Sequence, residues 1–339
     1  MTTATGVGSW PGDGSGGPDG AAYAEAVRTV LGEAPDLPWV PEMPGRGATA
    51  GMVGRTLAVV AELGADLQPA GWRLTSGAGV DQRRARSLLG QDLDTVEELA
   101  EGLTGAVKVQ LTGPWTLAAT VERPRGDKVL GDHGARRDLA QALAEGVVDH
   151  VADVRRRLPG VERLVVQLDE PALAGVMAAR VPTASGFGRH RSVDRPEASE
   201  ALGWVLSAIA AAGAEPWVHA CAPGTDWALV RGAGARGLVV DLDVLGAADH
   251  DVLAEHLEGD GSVALGVLPG TDPGAAAAWP GDAYVVERAS RWLDMLGLDP
   301  AEDAAGLVLT TACGLAGATP AWARRSTALL RSAARSLQG

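Results

Sequence analysis

Two cysteines and a nearby histidine are the residues of this chain best suited to hold a metal. The cysteines are Cys221 and Cys313, and there are no others. His219 and Cys221 stand two apart in the run PWVHAC (216–221). On a strand such residues share one face, with Cα atoms about 6.6 Å apart, so both side chains can reach one ion. Two thiolates and an imidazole suit Zn²⁺. The competing reading of the cysteines is a pair of inert buried thiols. A fourth ligand could come from Asp241 or Asp243 in GLVVDLD (237–243). The two share strand parity, so periodicity does not separate them. Asp241 is favoured because it is embedded in an apolar run, where a carboxylate most needs a partner. Other apolar runs also close on polar groups: Ser9, Glu42, Thr112, and Asp169 with Glu170. A carboxylate buried at a strand end costs several kcal/mol unless it is paired or bound to metal, so several in one chain point to a site.

The elements that must position these groups are short and repetitive. Eight apolar runs recur: ATGVGS (4–9), PWVPEM (38–43), VKVQLTG (107–113), RLVVQLDE (163–170), PWVHAC (216–221), GLVVDLD (237–243), VALGVLP (263–269) and GLVLTTACG (306–314). Their Val and Leu content fits strands buried on both faces. Helical patterns lie between them, among them Arg137–Leu158, Glu197–Ala212, Ala283–Leu296 and Pro320–Leu337. Asp282 is expected to cap the third of these, and Thr319 to cap the fourth with Pro320 in its first turn. Eight β/α units predict an α/β fold, a single (β/α)₈ TIM barrel spanning residues 1–339. Gly6-Val7-Gly8 lacks the third glycine and the helix of a dinucleotide loop and reads as a strand end. Residues 11–20 are expected to form a flexible first βα loop, and 64–80 a hairpin or irregular excursion. The basic loop 182–195 belongs on the catalytic face, as a lid or as a solvent loop.

Composition narrows the function. The net charge is −14 with only two lysines, Lys108 and Lys128. That argues against nucleic acid or an anionic membrane as partner, since counterion release needs a basic face. No apolar run approaches the ~18 residues of a spanning helix. The first residues lack the basic and apolar regions of a signal peptide. Two cysteines make no disulfide framework for 339 residues, so a reducing cytoplasm is the expected location.

The set GSWP (8–11), PEMP (41–44), LTGPWT (111–116), QLDEPAL (167–173), HAC (219–221) and TACGL (311–315) resembles the catalytic domain of cobalamin-independent methionine synthase. The order of these motifs matches along essentially the whole chain. The resemblance implies a (β/α)₈ barrel whose zinc binds the thiol of homocysteine. It assigns His219, Cys221 and Cys313 as zinc ligands. The family's remaining ligand is a glutamate on the next strand, for which Asp241 is the nearest match. It implies that Asp169 holds the homocysteine amino group, that Glu42 is a second acid in that pocket, and that Ser9 meets the carboxylate. Trp10 and Trp115 are candidates for donor-site walls or for packing. Two departures accompany it. The N-terminal folate-tail-binding barrel of the full-length synthase has no counterpart here, and Pro269-Gly270-Thr271-Asp272 lacks the family's histidine.

The implied activity is zinc-dependent methyl transfer to homocysteine, giving methionine. A free thiol, with a pKa of about 8.5, is mostly protonated at neutral pH; coordination deprotonates it and leaves a sulfur nucleophile. The methyl donor is either a folate or a methyl-corrinoid protein. Relatives of this barrel alkylate other thiols such as coenzyme M, but two carboxylates would repel a sulfonate. A zinc- or thiol-binding homologue without methyl transfer is the non-enzymatic reading. A metal-free porphyrin decarboxylase would need an arginine-rich N-terminal motif, which residues 1–20 lack.

Overall fold

The computed structural model describes residues 2–12, 20–274, 278–299 and 304–337. In chain order the strands are β1 (Thr3–Ala4), β2 (Gly64–Gln68), β3 (Gly71–Thr75), β4 (Gly105–Thr112), β5 (Val161–Asp169), β6 (Glu215–Ala220), β7 (Gly237–Asp241), β8 (Ser262–Leu268) and β9 (Leu307–Thr311). The helices are α1 (Ala21–Glu33), α2 (Met52–Val59), α3 (Val80–Leu99), α4 (Pro114–Thr120), α5 (His133–Arg157), α6 (Leu173–Met177), α7 (Arg195–Ala211), α8 (Trp227–Gly232), α9 (Ala247–Glu258), α10 (Asp282–Leu296) and α11 (Pro320–Ser336). None of the described helices is long and apolar enough to cross a membrane.

Seven strands form one parallel sheet in the order β1-β9-β8-β7-β6-β5-β4. They correspond to seven of the eight apolar runs. The eighth run, 38–43, lies between the two edge strands but forms no ladder. It reaches β4 through a Trp39–Lys108 bridge and residues 8–10 through a Ser9–Glu42 bridge. The bonds are Val40 N to Lys108 O (2.9 Å), Lys108 N to Pro38 O (2.8 Å), Glu42 N to Gly8 O (3.1 Å) and Trp10 N to Glu42 O (2.6 Å). The expected closed eight-stranded barrel is therefore observed only as a curled seven-stranded parallel sheet with a bridging segment. Pro38, Pro41 and Pro44 punctuate that segment; proline offers no N–H to a ladder, so only isolated bridges form.

The excursion at 64–80 is an antiparallel hairpin, β2 with β3, outside the main sheet. Residues 13–19 of the proposed first loop lie outside the described residues. The helix expected from Arg137 starts earlier, at His133, where the Asp132 side chain accepts from Ala135 N (2.9 Å). Thr319 caps α11 as expected, accepting from Trp322 N (3.2 Å). Asp282 does not cap α10: Gly281 occupies the cap, and Asp282 accepts from Ser332 Oγ (3.1 Å) across to α11.

The sheet's two faces carry different cores. Helix-facing side chains join one large apolar cluster. On the concave face Val7, Leu37, Val165, Trp217, Val239, Ala264 and Val308 form a separate buried group. Side chains two apart on a strand share a face, so Gln167 and Asp169 on β5, His219 on β6 and Asp241 on β7 stack above this apolar floor. The register completes the alignment: Thr112 lies beside Asp169, and Asp169 beside His219.

Candidate active site and metal centre

At the C-terminal ends of β6 and β9, ligand atoms of His219, Cys221 and Cys313 all lie within 4.8 Å of one another. The two cysteines are free thiols with sulfurs 2.9 Å apart. His219 is buried, and its Nδ1 sits 3.0 Å from Asp169 Oδ1. A carboxylate at Nδ1 fixes the Nδ1–H tautomer and leaves Nε2 as the lone-pair donor. Nε2 is buried without a hydrogen-bond partner. A nitrogen and two sulfurs, converging and otherwise unsatisfied, are a donor set that fits zinc.

Without a metal, protons compete for the same donor atoms. Burial opposes protonation of His219, but Asp169 and Cys313 outweigh it and raise the imidazole to about 9 in the metal-free protein. Hydrogen bonding from Cys221, aided by His219 and opposed by burial, pulls the Cys313 thiol down to about 4. The same pairing and burial push Cys221 up. The two sulfurs, 2.9 Å apart, therefore favour a single shared proton over two separate ones.

Asp241 ends β7, but its carboxylate is not among the three groups within 4.8 Å. Its Oδ1 accepts from Asp243 N (3.0 Å). Burial and the nearby Asp243 and Cys313 charges raise its pKa. Asp243 is exposed and pairs with Arg288 (2.6 Å).

Beside the cluster lies a cavity of about 240 Å³ lined by Ser9, Glu42, Asp169, His219, Cys313 and neighbouring apolar residues. Glu42 is buried and its Oε1 has no hydrogen-bond partner. Burial pushes its carboxyl up to about 7, against the pull of Arg55, whose Nε is 3.8 Å away. Asp169 also accepts from Gln167 Nε2 (2.7 Å). Ser9 Oγ accepts from Ala316 N (3.2 Å) at the lip of the cavity. A Cβ at Gly314 would collide with that hydroxyl, so the glycine of TACGL lets the β9 loop close on Ser9.

Sequence reasoning missed the charges beneath the pocket. Lys108 is fully buried, donates to Val7 O (2.8 Å), and is lowered by burial to about 8 against the pull of Asp169 and Glu42. Arg55 joins Glu42 to Asp92 (2.5 Å), which Arg46 grips with both terminal nitrogens (2.9 and 2.7 Å). The one available signal was Lys108 itself, a rare lysine inside an apolar run.

Other motif residues are structural. Glu170 is fully buried and accepts from Trp115 N (2.8 Å), Thr116 N (2.8 Å) and Thr116 Oγ1 (2.7 Å), which holds the start of α4. A Cβ at Gly113 would strike the same carboxylate. Neither Trp10 nor Trp115 lines the cavity. Trp115 donates to Ala198 O (3.0 Å) under α7, and Trp10 packs on Trp39 with ring centroids 6.1 Å apart. In the segment without the family's histidine, Asp272 instead accepts from Thr319 N (2.6 Å) and Thr319 Oγ1 (2.5 Å).

Known proteins bear on this arrangement in two ways. No curated protein sequence matches the chain. Among solved structures, a B12-independent methionine synthase from Shewanella sp. W3-18-1, in complex with selenomethionine, superposes with a TM-score of 0.64 at 14% identity, covering 100% of this chain and 98% of that one. At that identity the likeness concerns the fold. The family model described as cobalamin-independent synthase, catalytic domain, matches residues 92–336, a span that includes Asp169, His219, Cys221, Asp241 and Cys313. The chain belongs to the cobalamin-independent synthase family through its catalytic domain.

Proposed function

We propose that this protein is a zinc-dependent methyltransferase that converts homocysteine to methionine, on a (β/α)₈-type catalytic unit. The observation that carries the reading is one cavity lined by Glu42, Asp169, Ser9, His219 and Cys313, the last two belonging to the His-Cys-Cys donor set. Zinc bound there supplies a thiolate at neutral pH. His219, Cys221 and Cys313 would hold the metal, and Asp241 would serve as an exchangeable fourth ligand that yields its position to the substrate thiol. Asp169 keeps His219 in the right tautomer and offers its other oxygen to the substrate ammonium. Glu42, whose carboxylate lines the same cavity, is the second acceptor for that ammonium. Ser9 takes the carboxylate. The carbon–sulfur bond forms as the donor's bond to its methyl group breaks.

A folate is the proposed donor, with a methyl-corrinoid protein as the alternative. The two free thiols suit a reducing compartment such as the cytoplasm. The test is multiple-turnover methionine formation from homocysteine, with methyltetrahydrofolate or methylcobalamin. We expect turnover with one of them, and loss of both turnover and bound zinc in Cys221→Ser. Turnover with neither donor, or full zinc retention in the variant, contradicts the proposal.

A further inference from the structure

Lys108 is a charged side chain with none of its surface exposed. It stands on β4 beside Val165, on the concave face of the sheet. The chain carries 29 basic residues, and all but Lys108 and Lys128 are arginine. A guanidinium spreads five donors over a rigid fork, whereas an ammonium is a compact point charge. An enclosed position that offers a single carbonyl fits the ammonium.

That carbonyl belongs to Val7. Lys108 Nζ donates to it (2.8 Å), and Gln167 Nε2 donates to it as well (2.7 Å). Val7 and Ser9 both line the cavity, so the two bonds tie the segment that carries Ser9 to β4 and β5. Among the described residues the ammonium makes no other hydrogen bond. Its charge is answered through space, by Asp169 first and then by Glu42.

The lining of the cavity has two acids, Glu42 and Asp169, and no lysine or arginine. Two carboxylates in a cavity of about 240 Å³ attract an ammonium and repel a carboxylate, and an amino acid brings both. The cations that act on Glu42 lie behind the lining, and they are Arg55 and Lys108. Arg55 Nε is 3.8 Å from Glu42, but its Nη1 is drawn to Asp92 at 2.5 Å. Lys108 has no acid of its own outside the pocket.

We propose that Lys108 determines the kind of thiol the pocket accepts, making the site select a zwitterionic amino acid over a plain amine. It does so by holding residues 7–9 through the Val7 carbonyl and by offsetting the two acids that would otherwise repel the substrate carboxylate. The inference rests on the homocysteine reading given above. Lys108 does not line the cavity, so it acts on the substrate through Val7 and Ser9 and through its field.

The test is calorimetric binding of two thiols to the zinc-loaded full chain at neutral pH. One is homocysteine, and the other is aminopropanethiol, which is homocysteine without its carboxylate. The wild type should prefer homocysteine. Lys108→Met, which keeps the length and removes the charge, should reduce that preference about tenfold, as one unit charge in a protein interior would give. The amine should bind the variant at least as tightly as it binds the wild type, and the zinc content should stay the same. General damage to the pocket would weaken both thiols alike, so equal losses, or an unchanged preference, overturn the proposal. Should Lys108→Met not fold, adding Glu42→Gln should restore folding, because it removes a charge that has lost its partner. The comparison then runs between that double variant and Glu42→Gln alone, and a double variant that does not fold also overturns the proposal. A wild type that binds both thiols without preference overturns the role of Lys108 alone. A wild type that binds neither overturns the homocysteine reading, and the proposal with it.

Discussion

Asp169 serves two groups at once, since it accepts from Gln167 and lies against His219. Asp169→Ala should free the imidazole to rotate and weaken zinc binding by roughly 10–100-fold, measured by competition with a chelator of known affinity. Unchanged affinity would show that the carboxylate does not orient the ligand. Glu42 gives a pH signature. Burial, opposed by Arg55, raises its carboxyl from 4.5 to about 7. Between those values the folded protein binds more protons at this site than the unfolded chain, so the Glu42 contribution to stability falls as pH rises through the window. Glu42→Gln removes that titration. Its stability relative to wild type should increase by about 3 kcal/mol from pH 4 to pH 8, read by urea denaturation at both ends. A difference that stays constant would mean an ordinary glutamate. The cluster of His219, Cys221 and Cys313 was legible in the sequence because His219 and Cys221 are local neighbours and the chain has no third cysteine. The charges under the pocket were not. Lys108 reaches Val7 across 101 positions and Arg46 reaches Asp92 across 46, separations that leave no local pattern.

At the scale of elements, strand parity places the chemistry and glycines bring loops close to it. Gly314→Ala would drive a methyl group into the Ser9 hydroxyl and break its bond to Ala316 N. We expect a raised KM for homocysteine with a smaller change in kcat, measured by initial-rate kinetics; an unchanged KM would remove Ser9 from the substrate site. Glu170→Ala would leave two amides and a hydroxyl of the α4 start unpaired. A loss of about 3 kcal/mol or more in urea denaturation is the expected outcome. The runs that became strands were readable because strands buried on both faces are short and apolar throughout. The segment 38–43 was read as an equal member, but its prolines reduce it to bridges. Asp282 was read as a cap, but Gly281 takes that place while the aspartate ties α10 to α11.

For the whole molecule, the seam at residues 38–43 is the feature that sequence did not foretell. There the two sheet edges meet through isolated bridges and through side chains, such as Thr5 Oγ1 on Leu37 O (2.8 Å) and Trp39 Nε1 on Gly8 O (3.1 Å). Hydrogen exchange should therefore show lower protection at the Val40 and Lys108 amides than along the ladder between β5 and β6. Equal protection would indicate a continuous ring. Glu42 lies on this seam and Asp169 on the ladder, so homocysteine binding between them should raise protection at the seam. Three side chains from two strand ends make up the proposed zinc site. The zinc content of protein purified without chelator tests it. About one zinc per chain is expected; a value near zero that added zinc does not restore would rule the site out.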